Sequence, residues 1–220
     1  YKKSLKICED INDKRGIGYG LHCIGIVYFN KDENDKALEY HNKALIIQEK
    51  IEEKYAIANT LNSIGTVYSS KGDYDKAENY YCKALEIKKE IQDKQGMGYS
   101  LTNIGNVYSN KGEEDRAIDY YEESLAIQKK VGDKRGMGYS LHCMGIVYKN
   151  KGNYKKALDY LEKSLSIQKD IKINEFKLST LTNIYIIYKH FNKKYEKKEI
   201  YKFIKDDKNI DFALNLDLYE

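Results

Sequence analysis

The sequence predicts an all-α solenoid of antiparallel helix pairs. Three observations carry this. A block recurs every 40 residues, proline is absent from all 220 positions, and the apolar residues of each block follow helical spacing. A proline inside a helix removes a backbone hydrogen bond and clashes with the preceding turn, so its absence suits a chain that is helical throughout. The 40-residue step is explicit. IGIVY at 24–28 becomes IGTVY at 64–68, IGNVY at 104–108, MGIVY at 144–148 and IYIIY at 184–188. DKALEYHNKAL at 35–45 is followed in the same way by DKAENYYCKAL, DRAIDYYEESL and KKALDYLEKSL. Residues 15–31 and 135–151 agree at 13 of 17 positions, three steps apart.

Taken in order, YKKSLKICEDI at 1–11 aligns with HNKALIIQEKI at 41–51. Residues 1–12 are therefore expected to form the second helix of a preceding repeat, which reads as part of a longer protein. Four full repeats follow at 13–52, 53–92, 93–132 and 133–172, then a degenerate fifth at 173–208 and a tail at 209–220. In each first helix a stripe such as Leu61, Ile64, Gly65 and Tyr68 keeps i, i+3, i+4, i+7 spacing. Ala77, Tyr81, Ala84, Leu85 and the aliphatic stem of Lys88 continue it on the second helix. Asp13, Glu53, Asp93, Asp133 and Asn174 mark the starts of the first helices. Gly72 followed by Asp73 reads as a left-handed stop and then an N-cap. Gly112–Glu113 and Gly152–Asn153 repeat the device, and Asp32 stands in for the first glycine. Gly25, Gly65, Gly105 and Gly145 fall on the packing face, where a missing side chain lets helices approach.

The pattern L-x2-I-G-x2-Y followed by A-x3-Y resembles the tetratricopeptide repeat. It is carried by Leu21, Ile24, Gly25, Tyr28, Ala37, His41 and Ala44 and by their equivalents 40, 80 and 120 residues on, over roughly residues 1–205. The period exceeds the usual one of about 34, and the usual terminal proline is missing. Such long repeats are similar to those of kinesin light chains, Partner of Inscuteable and many bacterial signalling proteins. The resemblance implies a right-handed superhelix that binds a protein or peptide in its concave groove.

Function classes narrow quickly. Net charge is +4 over mixed surfaces, too weak a signal for nucleic acid. The local excess at 189–208, eight Lys against four acids, reads as a solvated terminal helix. RNA-binding helical repeats use a shorter period and a basic groove. No run is long and apolar enough to span a membrane. Cys8, Cys23, Cys82 and Cys143 form no framework, which fits free thiols in a reducing, cytoplasmic setting. The Gly-x-Gly pairs (16/18, 96/98, 136/138) follow no strand and precede no Lys-Ser/Thr, so they do not read as a phosphate loop. His22–Cys23 and His142–Cys143 lie three repeats apart, so they cannot share a metal ion, and neighbours on a helix diverge. No catalytic constellation is present. No metal or cofactor is expected.

The candidate site is a second stripe on each first helix, which varies while the core stripe repeats. It comprises Tyr19, His22, Ile26 and Phe29; Asn59, Asn62, Thr66 and Ser69; Tyr99, Thr102, Asn106 and Ser109, beside Asn103; Tyr139, His142, Ile146 and Lys149; and Ser179, Thr182, Ile186 and Lys189. Asn, Thr and Ser suit the backbone of an extended peptide, and the aromatic and aliphatic residues suit apolar anchors. A carboxylate clamp of the chaperone-binding kind would need Lys where His22, Asn62, Thr102, His142 and Thr182 stand. The tail DFALNLDLYE is expected to cap the last helix or to dock in a groove of its own or another copy, giving self-association. The leading expectation is thus a non-enzymatic interaction module or scaffold. The second is the sensory segment of a larger signalling kinase, cyclase or protease.

Overall fold

Between residues 14 and 170 the helices begin and end at the punctuation the sequence carries. In the computed structural model, which describes residues 1–172 and 176–191 apart from the side chain of Lys2, ten helices occur among the described residues. They are α1 (Lys2–Asp10), α2 (Lys14–Phe29), α3 (Asn34–Lys50), α4 (Lys54–Ser70), α5 (Tyr74–Glu90), α6 (Lys94–Asn110), α7 (Glu114–Val131), α8 (Lys134–Asn150), α9 (Tyr154–Asp170) and α10 (Lys177–His190). The expected helix start at Asn174, the basic run beyond residue 191 and the 209–220 tail lie outside the described residues. The chain forms two compact units, Tyr1–Ile127 and a second that starts at Gln128, with the break inside α7. No described helix is long and apolar enough to cross a membrane. The all-α class of adjacent antiparallel pairs is the one the sequence predicts.

The stops are Schellman-type turns. After α4, Gly72 takes φ +76, its N–H bonds Ser69 O at 3.0 Å, and the Asp73 N–H bonds Tyr68 O at 3.0 Å. These bonds satisfy carbonyls that the helix end would otherwise leave without partners. Asp32 adopts the same left-handed conformation at φ 59, a cost that glycine avoids.

The starts show a coupling that the sequence conceals. Asp13, Asp93 and Asp133 accept from the backbone N–H three residues on, at 3.0, 2.9 and 2.9 Å. That third residue is Gly16, Gly96 or Gly136. A Cβ there would lie 2.4, 2.0 or 2.5 Å from the capping carboxylate. In α4 the cap position holds Glu53, which makes no side-chain cap bond, and the third residue is Ala56. The Gly-x-Gly pairs are therefore half explained by helix capping.

Packing within a pair centres on the glycine that recurs in the first four blocks. The His41 ring lies over Gly25, Tyr81 over Gly65, Tyr121 over Gly105 and the Leu161 branch over Gly145. An added Cβ would fall 2.6–2.8 Å from each. Ala37, Ala77, Ala117 and Ala157 are fully buried beside them. At the turn end of each pair two tyrosines stack face to face: Tyr28–Tyr40, Tyr68–Tyr80, Tyr108–Tyr120 and Tyr148–Tyr160. Their centroids lie 5.2–5.5 Å apart and their planes within 16°. Lys36, Lys76 and Lys156 sit over the outer faces of Tyr28, Tyr68 and Tyr148, adding cation–π attraction.

Candidate functional site

The variable stripe runs along the first helices, and its inner edge is wired into the fold. In the first unit, the Thr60 hydroxyl donates to Gln48 Oε1 at 2.8 Å and lies 3.2 Å from His22 Nδ1. The hydroxyl proton is spent on Gln48, so the ring N–H must donate to Thr60, which places the neutral ring's proton on Nδ1. One junction on, Asn62 exchanges amide and carbonyl bonds with Ser100 at 3.2 and 3.3 Å. In the second unit, Thr180 Oγ1 accepts from Gln168 Nε2 at 2.9 Å and sits 2.9 Å from His142 Nδ1. Gln128 takes the Ser140 hydroxyl at 3.0 Å.

Two expected groove residues are placed elsewhere. Thr102 is 1% exposed and His142 5% exposed. Thr102 bonds Gly98 O and Ser124, and His142 packs against Phe176 with centroids 5.5 Å apart. The stripe crosses from surface to interior within one helical turn, and a variable residue is as free to serve a seam between repeats as a partner. Burial keeps both this histidine and His41 well below the usual range, at about 4. The remaining causes are Lys149 for His142 and His22 for His41. Burial lowers His22 as well.

The outer edge is open. In the first unit, Tyr19 is 67% exposed and Ile26 is exposed, while Phe29, Asn59, Ser69, Tyr99, Asn103 and Ser109 are half-buried. Thr66 and Asn106 are half-buried and accept the hydroxyls of Tyr81 and Tyr121 at 3.1 and 2.7 Å. The Asn59 and Asn103 side chains bond no described residue. In the second unit, Tyr139 meets Phe176 edge-on at 5.5 Å, and Ile146, Lys149 and Thr182 are half-buried. Ser179, Ile186 and Lys189 are exposed. Lys149 Nζ donates to Asn183 Oδ1 at 2.5 Å.

Sequence reasoning missed Gln48, Thr60, Ser100, Gln168, Thr180 and Asn183. A signal existed. His22 and Thr60 are 38 residues apart, as are His142 and Thr180, and each Thr follows a Gln by 12. The recurring His therefore goes with a recurring Thr in the next repeat.

Comparison with known proteins fits this geometry. A search of the curated proteins finds no significant match. Among solved structures, the chain is similar to a putative kinesin light chain of Podosopora anserina with nearly identical TPR-like repeats. That match has 17% identity, covers 86% of this chain and 93% of that one, and gives a TM-score of 0.63. It is also similar to a Signal Transduction ATPase with Numerous Domains from Pyrococcus horikoshii, which carries a tetratricopeptide repeat sensor. Here identity is 25%, coverage 94% of this chain and 32% of that one, and the TM-score 0.74. A third is the Rap conjugation gene regulator of plasmid pLS20 in complex with the Phr* peptide, at 20% identity, 92% and 56% coverage and a TM-score of 0.75. The tetratricopeptide repeat family model matches residues 17–90 and 97–170, well over half of the sequence. With a large side chain packed over the glycine in four successive blocks and helices paired along both units, the chain belongs to the tetratricopeptide repeat family.

Proposed function

We propose that the chain is a non-catalytic interaction module that binds a protein or peptide segment along the open edge of the first-helix stripe. The observation that carries it is the pairing of exposed apolar groups with amides that bond nothing described: Tyr19 and Ile26 with Asn59 and Asn103. Amides left unspent by the fold suit a peptide backbone, which offers donors and acceptors in turn. The solved Rap regulator holding the Phr* peptide supports this reading by fold. The repeat limits at 13–52, 53–92, 93–132 and 133–172 are the units we assign to it. Free Cys8, Cys23, Cys82 and Cys143 fit a reducing, cytoplasmic setting.

The test is affinity capture from the source cell with the intact chain and with Asn59→Ala/Asn103→Ala, the melting temperature being checked alongside. Loss of the captured protein from the variant, by about tenfold or more, is expected. Equal capture by a variant that folds normally sinks the groove reading. A second reading, a sensory segment of a larger signalling enzyme, draws on the Pyrococcus horikoshii protein, whose repeats are a sensor. Sequencing the full gene decides it. The tail's proposed part in self-association is checked by light scattering on the chain with and without 209–220. An unchanged mass removes it.

A further inference from the structure

Several lysines in this protein reach a carboxylate. Lys71 pairs with Asp35, Lys111 with Asp75 and Glu78, Lys134 with Asp170 and Lys163 with Asp159. Lys149 on α8 reaches none among the described residues. It is half-buried on the stripe of the second unit, and its one recorded partner among the described residues is the Asn183 amide oxygen of α10. Asn183 is itself fixed, because its Nδ2 donates to Ser179 O at 2.8 Å. Burial alone holds the Lys149 ammonium below its usual range, with no acid opposing it. Ile146 stands one turn before Lys149 and Ile186 one turn after Asn183, and Ile186 is 46% exposed. His142 beside them is neutral at neutral pH. The surface thus offers one oriented, partly desolvated cation with aliphatic flanks and, among the described residues, no carboxylate of its own. A partly buried charge without a counter-charge is costly, so the complement of this surface is a single carboxylate between apolar side chains.

We propose that Lys149, oriented by Asn183 and flanked by Ile146 and Ile186, is a subsite that reads an Asp or Glu side chain in an extended partner peptide with aliphatic residues beside the acid. This rests on the interaction-module reading and adds the chemistry of one position. In the first three repeats the same place holds Phe29, Ser69 and Ser109, and in the fifth the exposed Lys189, so a half-buried cation at this place is particular to the fourth repeat.

The probes are end-blocked peptides Gly-Ser-Leu-Xaa-Leu-Ser-Gly with Asp, Asn or Lys at Xaa, titrated to millimolar concentration against the intact chain. Proton–nitrogen correlation spectra report the side-chain amide of Asn183. The Asp peptide is expected to move that signal and to bind about tenfold more tightly than the Asn peptide. Added salt should weaken it. Lys149→Gln should abolish the difference and Lys149→Arg should keep it, both with unchanged melting temperature. Equal binding of the Asp and Asn peptides overturns the proposal, as does discrimination that survives Lys149→Gln, or an Asn183 signal that never moves. A free-carboxylate Asn peptide that binds more tightly than the blocked Asp peptide overturns the assignment to a side chain. The capture experiment with Asn59 and Asn103 lies in the other unit. If it succeeds while these titrations fail, the subsite falls and the module reading stands.

Discussion

Two junctions in the first unit occupy equivalent places and solve the same problem differently. Where α3 meets α4, Gln48 is buried and anchors a relay through Thr60 to His22. Where α5 meets α6, the same position is Lys88, 3% exposed, whose ammonium reaches, among the described residues, only the Gly96 carbonyl at 3.4 Å. Ser100, the counterpart of Thr60, turns instead to Asn62. Burial pushes Lys88 down to about 8, and Asp93 opposes this only in part. Gln128 and Gln168 fill the position in the second unit. Amides at three of these four seam positions bond the hydroxyls of the next repeat, so the seam does not need a charge. An amide both donates and accepts, whereas an ammonium only donates and resists leaving water.

Replacing Lys88 with Gln tests this most strongly. Gln128 shows that a serine hydroxyl can complete the bond. Stability at pH 7 should rise by roughly 2–3 kcal/mol, read by urea denaturation. The native pKa of Lys88 lies below the unfolded one, so between about pH 8 and 10.5 the unfolded state holds more protons. Stability of the parent should therefore rise with pH in that window relative to the variant. A variant of equal or lower stability, or a difference that ignores pH, removes the charge-defect account.

Thr60→Val attacks the relay. It strands both the Gln48 oxygen and the His22 N–H while keeping the volume, and should cost about 2 kcal/mol. Ser100→Ala, at the half-buried pair one junction on, should cost distinctly less. Similar losses at the two sites would show that the relay is not specially coupled.

His41→Leu has the smallest effect at neutral pH. His41 Nδ1 is buried with no partner among the described residues, and Leu161 shows that a leucine fits against the equivalent glycine. A gain of about 1 kcal/mol is expected at pH 7. His41 is held at about 4, below its unfolded value, so its penalty grows as pH falls from about 6.5 towards 4. The advantage of the variant should widen over that range. Parallel acid-denaturation curves would contradict this.

The helix pairs and their cores were legible because the residues that make them recur in register. Ile64 facing the interior and Gly65 under Tyr81 follow from a 40-residue step and a 3.6-residue turn. The site was only half legible. Of its outer members, Tyr19 and Ile26 are exposed and Asn59 and Asn103 half-buried. Thr102 and His142 are buried, because half a turn separates groove from seam and one sequence cannot say on which side a variable residue falls. The seam partners escaped notice because they pair across 38 and 12 residues, offsets that a search for the 40-residue repeat passes over. The buried Lys88 looked like an ordinary end to an apolar stripe, since a lysine stem is apolar and only the position of its tip betrays the cost.

The stacked tyrosines have a practical consequence. The protein has 22 tyrosines and no tryptophan, so its near-ultraviolet spectrum belongs to phenols. Four pairs of those phenols, one at each turn, lie nearly parallel and close enough to couple electronically. Each helix pair thus carries its own chromophore, whose signal depends on that pair being closed. Fluorinating a single partner would label one repeat without adding a dye, and unfolding could then be followed pair by pair along the chain.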